Sequence, residues 1–380
     1  GDIKISLDYI PYLANEFMPY IISFLGLTKK CIVVDLDNTL WGGIVGEDGF
    51  DGIRLGPQPP GNAFVEFQKY LKALSQRGIL LAINSKNNFD DAIQVIREHP
   101  FMILTESDFS CIKINWNNKA SNMQEISKEL NIGLDSFVFF DDDPINRELI
   151  RESMPEITTP ELPHDPSFYS EVIQSLHDFS TFQITSEDTN RGQMYLEQKQ
   201  RTESQNSTSD ISEFLKKLNL EIEIKKTNSF TIPRISQLTL KTNQFNLTTK
   251  RYHEDQIKKF SEDKNILIGC AQIRDKFGDN GITGVFIVEK TNYDEWFLDT
   301  FLLSCRVMGR EAEKAILYFI INEAKNNNIK RLKAKFIPTE KNKPIENFLP
   351  DCQFYKKDGI WIYNLDKPFN MPDFLTLSEE

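Results

Sequence analysis

The sequence predicts a two-domain α/β protein: an open, parallel, doubly covered sheet followed by a mixed α/β domain. Three observations predict it. The 380 residues suffice for two ordinary domains, each with its own core. From Cys31 to about Ile150, short apolar runs without polar alternation are separated by stretches of helical period, the pattern of strands buried on both faces of a parallel sheet. Beyond about Ser212, strand-like runs follow one another without an intervening helix, which suits antiparallel neighbours.

In chain order, Tyr12–Leu27 is the most apolar stretch but is interrupted by Asn15, Glu16 and Pro19. It reads as a short helix packed on the domain that follows, within an extension over 1–28. The chain starts at Gly1 and reads as a piece cut from something longer. The first domain, 29–175, has strands at Cys31–Val34, Ile79–Ile83 and Phe137–Phe140. Phe64, Phe67, Leu71 and Leu74 recur at helical spacing with Gly78 as a stop; Phe89, Ile93 and Ile96 mark a second helix, and Met123, Ile126 and Leu130 a third. Residues 151–175 hold four prolines and read as a connection. Within the connecting segment 176–211, the polar run from 186 is an exposed helix or a linker. The second domain, 212–366, reads as a helix (Ile232–Lys241), strands near Ile266–Ile273, Ile282–Glu289 and Trp296–Leu303, and a helix (Arg310–Lys325). A strand (Arg331–Ile337), a short helix (Pro344–Leu349) and a hairpin around Gly359 complete it, and 367–380 is a tail.

The hydrophobic fraction of 40% and charged fraction of 26% are those of a folded globular protein. A net charge of −12 argues against a nucleic-acid partner, which asks for a basic face. No apolar run reaches membrane-spanning length. Five scattered cysteines, odd in number and without a CxxC pair, suggest neither a disulfide framework nor a zinc site. A reducing cytoplasm fits.

The chemistry gathers at strand ends. Asp35 and Asp37 leave the run Cys31–Val34, and positions i and i+2 of an extended chain point the same way. Ile79–Ile83 runs into Asn84, Ser85 and Lys86, and Phe137–Phe140 into Asp141, Asp142 and Asp143. In open α/β sheets the carboxyl ends of strands border the ligand crevice. Clustered carboxylates need a balancing cation, and hard oxygen donors without histidine or cysteine select magnesium. A lone Asp-x-Asp is common in surface turns; four such pieces in order at strand ends are not.

Here the sequence resembles the haloacid dehalogenase (HAD) superfamily. Asp35-Leu-Asp-Asn-Thr39 matches its first motif, Ser85 the second, Lys119 the third, and Asp141-Asp142 the fourth. The resemblance implies a Rossmannoid phosphatase domain in which Asp35 is the nucleophile and Asp37 the acid and base. It implies magnesium held by Asp35, Asp142 and the Asp37 carbonyl, with Asp141 in support, and phosphoryl oxygens gripped by Thr39, Ser85 and Lys119. Lys113 competes with Lys119 for the last role; Lys119 opens the helix that leads into the acidic strand. The glycine-rich Trp41–Gly49 reads as a tight hairpin or small flap over the site.

A narrower resemblance rests on Val33–Gly49, Phe139–Pro144, Lys241–Thr249 and Ser304–Arg310. These look like the FkbH-like family, over about Lys29 to Asp366. Asp143 stands where that family often has asparagine. Its members load a glyceryl unit from 1,3-bisphosphoglycerate onto an acyl carrier protein for polyketide assembly, as free proteins or within loading modules. The second domain also looks like the GNAT acyltransferase fold, with Arg306-Val-Met-Gly-Arg310 in the place of its pyrophosphate turn. Glu311 replaces the final small residue of that turn, which counts against acetyl-CoA. The resemblance implies Cys305 as an acyl-carrying nucleophile, with Arg306 and Arg310 favouring its thiolate, and Asn243 and Gln244 as substrate-binding amides. Glu313, Asp299 and His253 are candidate assisting groups. The rival expectation is a plain magnesium-dependent phosphatase acting on a small phosphorylated metabolite.

Overall fold

The computed structural model describes residues 5–181, 184–206 and 210–380, and the chain forms two compact units, Gly1–Leu196 and Glu197–Glu380. Among the described residues no helix is long and apolar enough to cross a membrane.

The first unit begins with α1 (Ile10–Phe24), none of whose side chains is buried. The helix meets the domain that follows through Ser23 Oγ, which donates to Ser180 O at 3.1 Å, and Asn15, 2.9 Å from His177 Nε2, while Tyr12, Phe17 and Phe24 stay exposed. The sheet consists of β1 (Cys31–Val34), β2 (Leu80–Ser85), β3 (Phe109–Ile114) and β4 (Phe137–Phe140), in the order β3-β2-β1-β4, all parallel. α2 (Val45–Asp48), a single turn, stands where a hairpin was expected. α3 (Gly61–Gln76), α4 (Phe89–Glu98) and α7 (Tyr169–Ser175) cover one face through Phe67, Leu71, Ile93, Ile96 and Ile173. α5 (Lys119–Leu130) and α6 (Pro144–Ser153) cover the other through Met123, Ile126 and Ile150. Burial on both faces is why β1 and β4 read as unbroken apolar runs.

β3 was not expected. Ser110 and Lys113 break its pattern, and as an outer strand it can turn Lys113 to Glu125 and Glu129 of α5, each at 3.1 Å. Residues 151–175 are likewise more than a connection, since they include α7. The polar run from 186 forms α8 (Ser186–Thr189) and α9 (Arg191–Asn206); its residues 207–209 lie outside the described ones.

The second unit holds α10 (Ile211–Lys217), β5 (Leu220–Lys226), α11 (Ile232–Lys241), β6 (Phe245–Asn246), α12 (Glu254–Glu262), β7 (Ile266–Asp275), β8 (Gly278–Glu289) and β9 (Glu295–Leu303). It continues with α13 (Ala312–Asn326), β10 (Arg331–Ala334), α14 (Phe348–Asp351), β11 (Tyr355–Lys357), β12 (Ile360–Asn364) and β13 (Leu375–Glu379). The sheet order is β11-β12-β10-β9-β8-β7-β5-β13. Only β9/β10 and β5/β13 are parallel among these neighbours. α13 packs on one face with Phe286, Phe301 and Leu332; α11 and α12 pack on the other over Cys270, Val285 and Ile287. Residues 367–380 are not a tail: β13 pairs with β5 from Leu375↔Leu220 to Glu379↔Ile224.

The parallel pair β9/β10 stays in register only to Leu298↔Ala334. Beyond it, the chain's own segment fills the gap. Phe245 pairs with Leu303 and Asn246 with Leu302, Leu247 N donates to Phe301 O at 3.1 Å, and Ile337 N donates to Leu247 O at 2.8 Å.

Candidate active site

Register decides where the chemistry collects. Val34 ends β1 level with Ile83 and Phe140, so Asp35, Asn84 and Asp141 emerge side by side at the carboxyl edge of the sheet. Lys119, first residue of α5 and almost fully buried, reaches this edge. Its Nζ lies 2.9 Å from Asp35 Oδ1 and bonds Asp141 Oδ2. Burial pulls the ammonium pKa down, but Asp35 and Asp141 more than reverse that and leave it raised. Lys113 is engaged with α5, so of the two candidate lysines Lys119 is the one at the cluster. A chain of amides fixes its helix: Asn84 Nδ2 donates to Lys119 O at 2.9 Å, and Asn122 Nδ2 to Asn84 Oδ1 at 3.0 Å.

Asp37 is held by three donors. Trp41 Nε1 (2.9 Å) and Val45 N (3.1 Å) bond its Oδ1, and Asn87 Nδ2 (2.8 Å) bonds its Oδ2. Burial raises its pKa; these donors oppose the rise, Asp35 adds to it, and the net shift is upward. That suits a group that must hold and release a proton. α2 places Val45 N on Asp37, a contact that the glycines of the flap did not disclose. Thr39 is fully buried, and its Oγ1 accepts from Asp142 N at 3.2 Å. Through that bond it helps to orient the acidic loop. Ser85, at the end of β2, is buried at the same edge.

Sequence reasoning missed Arg147. From the first turns of α6 its Nη1 donates to Asp141 O (2.8 Å) and Asp142 O (2.7 Å), tying down the acidic loop. A cation four residues after an acidic triplet is the only signal the sequence offers.

Asp35, Asp141 and Asp142 bring one carboxylate oxygen each within 4.8 Å of one another. Asp35 Oδ1 is buried, with the Lys119 ammonium 2.9 Å away as its neighbour, and it faces the same cluster as the other two carboxylates. The donors are all hard oxygens, and they are those of a magnesium centre. Burial first, then Asp35 and Asp141, push the Asp142 carboxyl up to about 7. Magnesium must displace that proton, so its affinity is expected to fall about tenfold per pH unit below this value and to level off above it. Calorimetric titration at about pH 6 and about pH 8 checks this; equal affinities would remove Asp142 from the ligand set.

In the second unit, Cys305 is half-buried in a single 3₁₀ turn, Cys305–Val307, after β9. α13 begins only at Ala312, after left-handed turns at Gly309 (φ 76°) and Glu311 (φ 62°). The helix expected from Arg310 thus starts two residues later, seven residues beyond Cys305. Arg306 is buried with Nε 3.5 Å from Ser304 Oγ. Arg310 is an internal strut where a phosphate contact was expected. Its Nη1 lies 3.0 Å from Asp275 Oδ2, while Nη2 donates to Gln198 Oε1 and Arg306 O. Burial, with Arg201 nearby, draws its pKa down to about 10.

The amide-rich segment is largely self-satisfied. Arg251 donates to Asn243 Oδ1 and to Thr239 O and Thr242 O, Asn246 caps Thr248 N and Thr249 N, and Gln244 is half-buried beside them. Asp299 accepts from Lys250, from Tyr252 Oη (2.7 Å) and from Thr300 Oγ1 (2.9 Å). It lies on β9, six residues before Cys305, and is committed to these three donors. His253 opens α12. Glu313, in the first turn of α13, has its carboxyl raised to about 6 by burial.

No protein-family model matches the chain, and no curated protein matches it. Among solved structures it is similar to the N-terminal part of protein BF1531 from Bacteroides fragilis, containing a phosphatase domain complexed with Mg. The identity is 44%, over 47% of this chain and 47% of that chain, with a TM-score of 0.45; this chain thus spans about half the length of that one. It is also similar to the ribosomal-protein-S18-alanine N-acetyltransferase from Escherichia coli (12% identity, 39% of this chain, 96% of that chain, TM-score 0.30). A third likeness is to Rv2747 from Mycobacterium tuberculosis in complex with CoA and NLQ (15% identity, 36% of this chain, 72% of that chain, TM-score 0.29).

Proposed function

We propose that the chain is a phosphatase–acyltransferase of the FkbH-like kind, taking 1,3-bisphosphoglycerate and loading a glyceryl unit onto an acyl carrier protein in a reducing cytoplasm. The observation that carries the phosphatase half is the convergence of Asp35, Asp37, Ser85, Lys119, Asp141 and Asp142 at one sheet edge.

In this reading Asp35 attacks the phosphorus of the phosphate ester as the ester P–O bond breaks, and Asp37 gives its proton to the leaving oxygen. Water then attacks the aspartyl phosphate, Asp37 takes a proton from it, and phosphate leaves. Trp41, Val45 and Asn87 hold Asp37 in line for both transfers. Lys119 neutralises oxygens of the phosphoryl group, and Ser85 donates to one. Magnesium, held by Asp35, Asp142 and the Asp37 carbonyl with Asp141 behind them, would shield the anionic group from the attacking carboxylate. In the second unit Cys305 displaces phosphate from the already activated acyl phosphate, forming a thioester that passes to the carrier thiol.

Intact-mass analysis of a carrier protein after incubation with 1,3-bisphosphoglycerate, magnesium and the enzyme tests this. A glyceryl-sized gain is expected with the native chain and none with Cys305→Ala, whose phosphatase activity should be unchanged. Full loading by Cys305→Ala would replace the covalent intermediate with direct transfer. The inward turn of Arg310 and the filled gap between β9 and β10 favour a second reading, a magnesium-dependent phosphatase whose second unit serves recognition. Phosphate release without any carrier adduct would select it.

A further inference from the structure

The second unit leaves part of one sheet face uncovered. Register identifies it: Glu289 pairs with Phe297, Phe297 with Lys333, Lys333 with Ile362, and Ile362 with Tyr355. Side chains directly opposite one another share a face. Their alternate neighbours Trp296, Leu332 and Tyr363 belong to the core under α13, so this row points to the other side. On that side α11 and α12 pack over β7 and β8, while β10, β12 and β11 carry exposed and half-exposed side chains around Ile362, which is itself buried. Arg331 and Lys357 are exposed, Lys333 and Ile360 half-exposed, and Tyr355 is 42% exposed.

The charge of this area opposes that of the chain. β10, β12 and β11 carry four cations and no carboxylate in twelve residues. Residues 330–367 as a whole hold nine Lys and Arg against five Asp and Glu, in a chain of net charge −12. The carboxylates of the face, Glu289 and Glu295, sit on β8 and β9; Glu295 engages Arg331 (2.7 Å) and Lys333 (2.6 Å), which leaves the β10–β11 side in cationic excess. Lysines on an outer strand can serve merely to block edge pairing. That accounts for Lys356 and Lys357 on β11, but not for Arg331 and Lys333, because β10 is paired on both sides.

We propose that this face is the docking surface for an acidic protein partner, which, resting on the function proposed above, is the acyl carrier protein. Phe297, Ile360 and Tyr355 supply apolar area, and Arg331, Lys333 and Lys357 meet carboxylates of the partner. Charges so placed mainly set encounter rate and orientation.

The test is calorimetric binding of the full chain to a phosphopantetheinylated acidic carrier protein, alongside loading. Arg331→Glu/Lys333→Glu/Lys357→Glu is expected to weaken binding at least about tenfold, whereas reversing the exposed Lys69, Lys216 and Lys258 changes it little. Should the triple variant misfold, Lys335→Glu/Lys357→Glu alters only exposed positions and should weaken binding in the same direction. Equal effects of the two sets of reversals, or no binding by the native chain, would overturn the proposal. Binding that is lost on reversal, but with no acyl adduct ever formed, would leave the docking face standing and remove the loading reaction.

Discussion

Asp35→Asn is expected to lower phosphate release by at least about 10³-fold with the fold intact. The amide keeps the shape and the backbone bond from Asp35 N to Phe140 O (2.9 Å), but it is no nucleophile and a poor ligand for a hard cation. The fold survives because the change removes one negative charge from a site crowded with them. Lys119 retains Asp141, and repulsion on Asp142 falls, since Asp35 contributes to its raised pKa. Phosphate release from a small ester, read beside a thermal melt, separates the effects. Turnover within tenfold of native, with the melt unchanged, would overturn the aspartyl-phosphate mechanism.

Lys119→Met is expected to be the more damaging change to stability. Methionine fills similar volume but leaves Asp35 and Asp141 buried without the cation that both face. Breaking one side of such a cluster costs about 3–5 kcal/mol, or a fall in melting temperature of roughly 10 °C in a unit of this size. The pH sense follows from the carboxylates. Without the ammonium, which opposes the rise, the already raised folded-state pKa of Asp141 goes up further, so the variant should be least stable above neutrality and should recover as pH falls and this carboxyl protonates. Magnesium should restore part of the loss, since its charge substitutes for the ammonium. Melts at two pH values, with and without magnesium, check this; a variant as stable as the native chain at high pH without metal would show that the lysine does not balance the cluster.

The fold was legible where burial was two-sided. β1, β2 and β4 announce themselves because every side chain is enclosed, so apolar composition and strand geometry coincide. β3 was hidden because an outer strand can carry Lys113 to a helix partner. β5 (Leu-Glu-Ile-Glu-Ile) alternates plainly once its partners are known, but β13 has only two apolar residues in five and is a strand because β5 offers it an edge. The site was legible in its anionic half for the same reason, since Asp35, Asp37, Asp141 and Asp142 follow buried runs directly. Trp41, Asn87 and Arg147 were not, because each acts across a loop on an atom that only the folded chain brings near. In the second unit, motif spacing pointed Arg310 at a ligand, whereas Asp275, remote in sequence, claims it.

The pairing of β13 with β5 joins segments about 155 residues apart, and β6 is inserted between strands that both follow it in the chain. The β13 junction cannot form until nearly the whole second unit has left the ribosome, and the β6 junction not until β9 has followed it out. The first unit, by contrast, closes its sheet by Phe140 and is free to fold during synthesis. Non-local pairing of this kind is slow, so the second unit spends longest as an open edge. Chaperone dependence, limited proteolysis of nascent chains and loss of soluble yield on heating should therefore all trace to the second unit first.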